Sequence, residues 1–107
     1  MVNKNYRIGY NFERRVKKVL EKAGCIVFRQ GKSKFPDLIC IIKKGHIVVI
    51  EGQMFVTFGW GQCFIVECKV NKYLDAKEKA EAKELAKHVN FFVAYRKNRK
   101  IKFYQVE

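Results

Sequence analysis

The length of its apolar runs is what most constrains how this sequence can fold. The runs Cys25–Gln30, Asp37–Ile42, His46–Glu51, Met54–Phe58, Cys63–Cys68, Phe91–Tyr95 and Ile101–Val106 are all strand-length and rich in β-branched or aromatic residues. Turn-forming segments separate them: Lys43-Lys44-Gly45, Gly59-Trp60-Gly61 and the basic stretch Arg96–Lys100. Two further segments carry a helical period instead. Between Tyr10 and Ala23, the residues Phe12, Val16, Val19, Leu20 and Ala23 recur at spacings of three and four, and Gly24 supplies a stop. From Asp75 to His88 the chain is rich in Ala, Lys and Glu, and Asp75 followed by Glu78 has the spacing of a capping box. The order α-β-β-β…β-α-β-β predicts an α/β sheet flanked by helices, in one domain spanning residues 1–107.

Charge narrows the partner. The chain carries 23 Lys and Arg against 10 Asp and Glu, a formal net charge of +13. Such an excess favours a polyanion, because surface Lys and Arg neutralise phosphates and release counterions. No run approaches the ~20 apolar residues of a membrane-spanning helix, and residues 1–7 lack the apolar centre of a signal peptide. The expectation is an intracellular, cytoplasmic protein without a membrane partner, nucleoid-associated if prokaryotic. Cys25, Cys40, Cys63 and Cys68 form no CxxC pair and are expected to be buried free thiols. With only His46 and His88 beside them, a zinc site is not expected.

Charged residues inside apolar runs point to chemistry. Asp37, preceded by the only proline, Pro36, opens one strand. Glu67 stands near the end of another, with Lys69 two positions on, so the two share a face. A carboxylate ending a buried strand is costly unless paired. Two carboxylates close together repel, and a hard divalent cation resolves that repulsion; Mg²⁺ suits a site of two carboxylates and several waters. A lysine beside it can position a water or steady charge developing at phosphorus. The plain alternative makes Glu67 and Lys69 a surface ion pair and Asp37 a turn residue.

The segments Gly9-Tyr-Asn-Phe-Glu13, Phe35-Pro36-Asp37-Leu-Ile and Ile65-Val66-Glu67-Cys68-Lys69 resemble, in order, the GxxxE, PD and (D/E)xK elements of the restriction-endonuclease-like, or PD-(D/E)xK, nuclease superfamily. Within it the chain most resembles the archaeal-type Holliday junction resolvases. The supporting residues are Arg7-Ile8-Gly9, Glu13, Gly24, the strand Ile26-Val27-Phe28-Arg29 and the loop Gly31-Lys32-Ser33-Lys34 before the PD strand. The resemblance covers about Tyr6 to Tyr95. It implies a mixed central β-sheet flanked by helices and a metal-dependent endonuclease that hydrolyses DNA phosphodiester bonds at branched junctions as a homodimer. The metal would be Mg²⁺, with Mn²⁺ as a substitute. Asp37 and Glu67 would ligate it with the backbone carbonyl of Cys68, Lys69 would orient or activate the attacking water, and Glu13 would reach the same site from the first helix and hold a water on the metal. Arg29 and the Ser33 loop would approach the scissile phosphate, with Arg7, Arg14, Lys32, Lys34 and Lys72 completing the DNA contacts. Glu13 has a local alternative, pairing with Lys17 one turn on.

The sequence departs from the resolvase pattern in one stretch. The PD and ExK strands are separated by about one extra hairpin, so two registrations compete. Glu67-Cys68-Lys69 retains the lysine and leads through Val70–Leu74 into the second helix, whereas Glu51-Gly52-Gln53 has the shorter spacing but no lysine. The added hairpin, with Met54, Phe55, Phe58 and Trp60, is either a dimer contact, a DNA-facing flap or an extension of the core sheet. The chain also ends soon after the last strand, where resolvases often continue with dimer-forming elements. The aromatics Phe91, Phe92, Tyr95, Phe103 and Tyr104 are assigned to core and interface before base stacking. Competing functions are a nickase, a restriction-like or repair nuclease of the same fold, and a non-catalytic nucleic-acid-binding module. Only the last predicts binding without metal-dependent cleavage.

Overall fold

The structure is a computed structural model that describes residues 4–31, 35–42, 46–50, 53–57, 63–71 and 73–107. Helix α1 (Lys4–Lys22) begins six residues before the predicted start. Its inner stripe explains the extension: Ile8, Phe12, Val16 and Leu20 recur every four residues, with the last three buried and Ile8 half-buried. Val19 and Ala23, expected on this face, point outward instead, and Val19 is 42% exposed. Val19 precedes Leu20 by one residue, a rotation of about 100° that takes it off a narrow stripe. Gly24 ends the helix at φ +103°, a left-handed conformation that glycine adopts without a Cβ penalty.

Among the described residues, five strands form one sheet in the order β1 (Cys25–Arg29), β2 (Leu38–Ile42), β5 (Cys63–Lys69), β6 (Asn90–Lys97), β7 (Lys100–Val106). β5 and β6 run parallel, joined by the crossover through α2 (Ala76–Ala86), and the other neighbours are antiparallel. The sheet is therefore mixed, as expected. β3 (His46–Ile50) and β4 (Gln53–Thr57) pair only with each other, as a separate two-stranded sheet. The inserted hairpin thus leaves the main sheet rather than extending it, and β2 pairs directly with β5. The predicted turns at 43–45 and 59–61, with Glu51, Phe58 and Trp60, lie outside the described residues.

Strand alternation divides the core between two faces. Cys25, Val27, Leu38, Cys40, Ile42, Phe64, Val66, Phe92, Ala94 and Phe103 pack with the stripe of α1. Ile65, Phe91 and Val93 face the other way and pack with Leu74 and Ala82 at α2. Of the closing aromatics, Tyr95 and Tyr104 are half-buried, while Phe91, Phe92 and Phe103 are buried in the core as expected. Each such side chain contributes roughly 1.5–3 kcal/mol of burial. The capping box at α2 is complete: the Asp75 carboxylate accepts from the Glu78 N–H at 2.8 Å, and the Glu78 carboxylate accepts from the Asp75 N–H at 3.1 Å. The basic turn is shorter than predicted. β6 continues to Lys97, β7 starts at Lys100, and Asn98 and Arg99 alone make the bend. The thiols are free, but Cys63 is exposed and Cys68 half-buried, so only Cys25 and Cys40 meet the expectation of burial.

Candidate metal and DNA-cleavage site

Two backbone hydrogen bonds bring the first carboxylates together. The residue before β2, Asp37, is held to β1 by the Gln30 N–H donating to its carbonyl at 2.8 Å, and Gln30 Nε2 donates to the Pro36 carbonyl at 2.7 Å. The β2–β5 register pairs Leu38 with Val66, which sets Asp37 beside Glu67. There the Asp37 N–H donates to Glu67 Oε1 at 3.1 Å, and the Cys68 N–H donates to Asp37 Oδ2 at 2.9 Å. Each carboxylate is thus bound to the other strand's backbone. Glu67 is the buried charged side chain among the described residues, at 5% exposure.

Burial sets the electrostatics of the pair. It pushes Glu67 up to about 8, with further upward pressure from Asp37, against which Lys69 pulls down. Burial also raises Asp37, opposed by the Cys68 N–H, by a hydrogen bond with Glu67, and by Lys69 and Arg29. Burial thus works against the charged form of both carboxyls. The Cys68 thiol is pushed well above its ordinary range by burial and by the surrounding carboxylates, so it is inert as a nucleophile.

Lys69 leaves β5 on the same side as Glu67 and meets α2. Its Nζ lies 3.4 Å from Glu67 Oε2 and 2.6 Å from Glu78 Oε2. Burial disfavours its charge, but the Glu78 and Glu67 carboxylates outweigh that and raise its pKa, so it stays an ammonium. Glu78 was legible in the sequence as a capping residue but not as the partner of Lys69; the signal that could have found it was the short link from β5 into α2.

On the opposite side, Arg29 ends β1 with its side chain toward α1 and forms a salt bridge with Glu13. The local alternative of Glu13 with Lys17 is therefore replaced by a strand-to-helix pair. Arg29 also lies 4.6 Å from the centre of the Tyr10 ring, and Arg14 lies 5.7 Å from it. Glu13 is raised by burial and by Asp37, partly offset by Arg29. Glu13, Asp37, Glu67 and Lys69 thus converge on one end of the sheet, from a helix and two strands. Arg7 and Arg14 are exposed on α1, while Lys32, Ser33, Lys34 and Lys72 lie outside the described residues, as does Glu51 of the competing registration.

Among the described residues, no three Asp, Glu, His or Cys side chains are grouped closely enough to hold a metal ion by themselves. The donor set is the Asp37–Glu67 pair. Its chemistry fits a hard dication: two adjacent carboxylates, one buried and one half-buried, are both disfavoured as bare anions, and a metal would offset that cost.

No curated protein gives a significant match. Among solved structures, the Holliday junction resolvase Hjc of the archaeal hyperthermophile Archaeoglobus fulgidus superposes with a TM-score of 0.61 at 23% identity, covering 92% of this chain and 72% of that one. The mixed sheet is accordingly of the restriction-endonuclease-like type. The family described as archaeal Holliday junction resolvase (Hjc) matches residues 4–106, nearly the whole chain. The chain belongs to the archaeal Holliday junction resolvase family, structure-specific, metal-dependent endonucleases that act on junction DNA.

Proposed function

We propose that this chain cleaves four-way DNA junctions with Mg²⁺ at the site formed by Asp37, Glu67 and Lys69, with Glu13 as an auxiliary carboxylate. The observation that carries this reading is the contact of Asp37 with Glu67, flanked by Lys69, at one end of the sheet. Asp37 and Glu67 would hold the metal, with the Cys68 carbonyl as a further ligand. What the dication supplies there is positive charge at the scissile phosphate and a lowered pKa for the attacking water. Lys69, kept cationic and anchored by Glu78, orients that water and stabilises negative charge on the phosphoryl oxygens. Arg29, braced between Glu13 and Tyr10, presents its guanidinium to the phosphate backbone. Arg7 and Arg14 extend the contact along α1, and Lys32, Ser33, Lys34 and Lys72 complete it. Mn²⁺ substitutes for Mg²⁺ at such a site.

We further infer that residues 1–107 act as one intracellular nuclease domain and work as a homodimer. A junction presents paired strands, and a two-fold protein places one site on each. The test is an assay of the purified protein on four-way junction, duplex and single-stranded DNA with Mg²⁺, Mn²⁺ or EDTA, alongside sedimentation. Paired cuts near the branch point, dependent on metal, are expected. Metal-dependent cleavage of every substrate alike would remove the junction specificity, and junction binding with no cleavage in either metal would sink the enzymatic reading.

A further inference from the structure

We infer that the β6–β7 turn, residues 96–100, together with Arg15 of α1, is a clamp for the DNA phosphate backbone beside the cleavage site. The inference rests on the reading of the chain as a DNA-binding nuclease and adds a contact surface to it. Topology places the turn. β5 and β6 are parallel with Lys69 opposite Tyr95, so β6 runs on past the catalytic end of the sheet and carries Arg96, Lys97, Arg99 and Lys100 beyond it. The five residues 96–100 are exposed, and none of their four cations forms an ion pair among the described residues.

Three features of the turn are unfavourable or unusual for a mere connector. Lys97 and Lys100 stand directly opposite each other across the hairpin, a like-charge pair that disfavours strand pairing. Asn98 and Arg99 both have left-handed backbone, at φ 52° and 64°. Asn-Gly is the preferred pair for such a two-residue turn, and an arginine in the glycine position costs about 1 kcal/mol. Arg15 adds a further cation beside the turn, donating from Nη2 to the Arg99 backbone carbonyl at 3.3 Å. A polyanion reconciles all three, since a phosphate chain passing over the turn neutralises the Lys97–Lys100 repulsion, uses the arginine that the backbone would rather replace by glycine, and meets the charge of Arg15 as well.

The test is equilibrium binding of a four-way junction in EDTA at 50–200 mM monovalent salt, using the full chain and the triple variant K97Q/R99G/K100Q. Arg99→Gly suits the turn geometry, so the variant folds at least as well, which its thermal midpoint checks. Each lost phosphate contact removes about 0.9 from the log–log salt slope, so over this range the unaltered chain should lose up to ~40-fold more affinity than the variant. K97R/K100R should retain the original slope. Equal slopes and affinities in the triple variant and the unaltered chain would overturn the clamp while leaving the nuclease reading intact. Failure of the unaltered chain to bind junction DNA would overturn the nuclease reading, and the clamp with it.

Discussion

The two sides of the sheet at its functional end solve the same electrostatic problem differently. On the α1 side, the strand offers the cation and the helix the carboxylate: Arg29 meets Glu13, and the guanidinium lies over Tyr10. On the α2 side, the strand offers both Glu67 and Lys69, and the helix adds a second carboxylate, Glu78. The first pair is open, with the Arg29 side chain 34% exposed; the second is closed, with the Glu67 side chain at 7%. An exposed guanidinium keeps its charge and planar donors available to a phosphate. A half-buried ammonium between carboxylates is held in place and does not exchange partners freely. On the proposed function the α2 side serves chemistry and the α1 side grip, and the two should respond differently to substitution.

The largest expected effect tests the carboxylate both sides lean on. Asp37→Ala should lower junction cleavage by about 10³-fold or more while junction binding persists, read by single-turnover kinetics and a gel-shift titration. On the closed side, Lys69→Met should cost on the order of 10²-fold in turnover with little change in affinity. Glu78→Gln is subtler: glutamine still serves a capping box, so stability should hold within about 0.5 kcal/mol while turnover falls roughly tenfold. On the open side, Arg29→Ala should act mainly on affinity, raising the junction Kd several-fold. If Arg29→Ala and Lys69→Met depress turnover equally and leave affinity alone, the distinction between the two sides fails.

A separate effect concerns the metal-free protein, where no cleavage is measured. The Glu67 carboxyl is pushed up to about 8 by burial and by Asp37, above its ordinary value of 4.5. A carboxyl raised on folding contributes stability that is full below its unfolded pKa and is lost as pH rises through the folded one. Between pH 5 and 8.5 in EDTA, the chain should therefore lose roughly 2–4 kcal/mol of unfolding free energy. Asp37→Asn removes part of the repulsion and should flatten that slope. A metal-free stability that rises across this window would show that the pair is not buried as described.

Much of this site was legible because it depends on short-range pattern. Glu67 and Lys69 share a face by strand alternation alone, and the apolar runs on either side of Asp37 and Glu67 require them to sit at strand ends. The choice of Glu67 over Glu51 was open in sequence, since spacing favoured one and the lysine the other; β2 pairing with β5 places Glu67 against Asp37. The Arg29–Glu13 pair was not legible. A helix offers its own i+4 cation at Lys17, and nothing local reports that β1 docks a strand-end arginine across from Glu13. Val19 was misread for a related reason, because a spacing of three or four from several neighbours does not reveal how narrow the buried stripe is. The basic stretch 96–100 was seen as a turn, but its left-handed Arg99 depends on a two-residue bend that composition without glycine did not suggest.

Glu78 uses both of its oxygens. One closes the capping box with Asp75, and the other holds Lys69. The first turn of α2 and the Lys69 ammonium consequently share a single latch. An opening of that turn leaves Lys69 with Glu67 alone, at 3.4 Å, and so loosens it. On the proposed function, amide exchange at Glu78 and Lys79 should therefore rise as turnover falls. Solvents that fray helix ends should switch the enzyme off well before they unfold it.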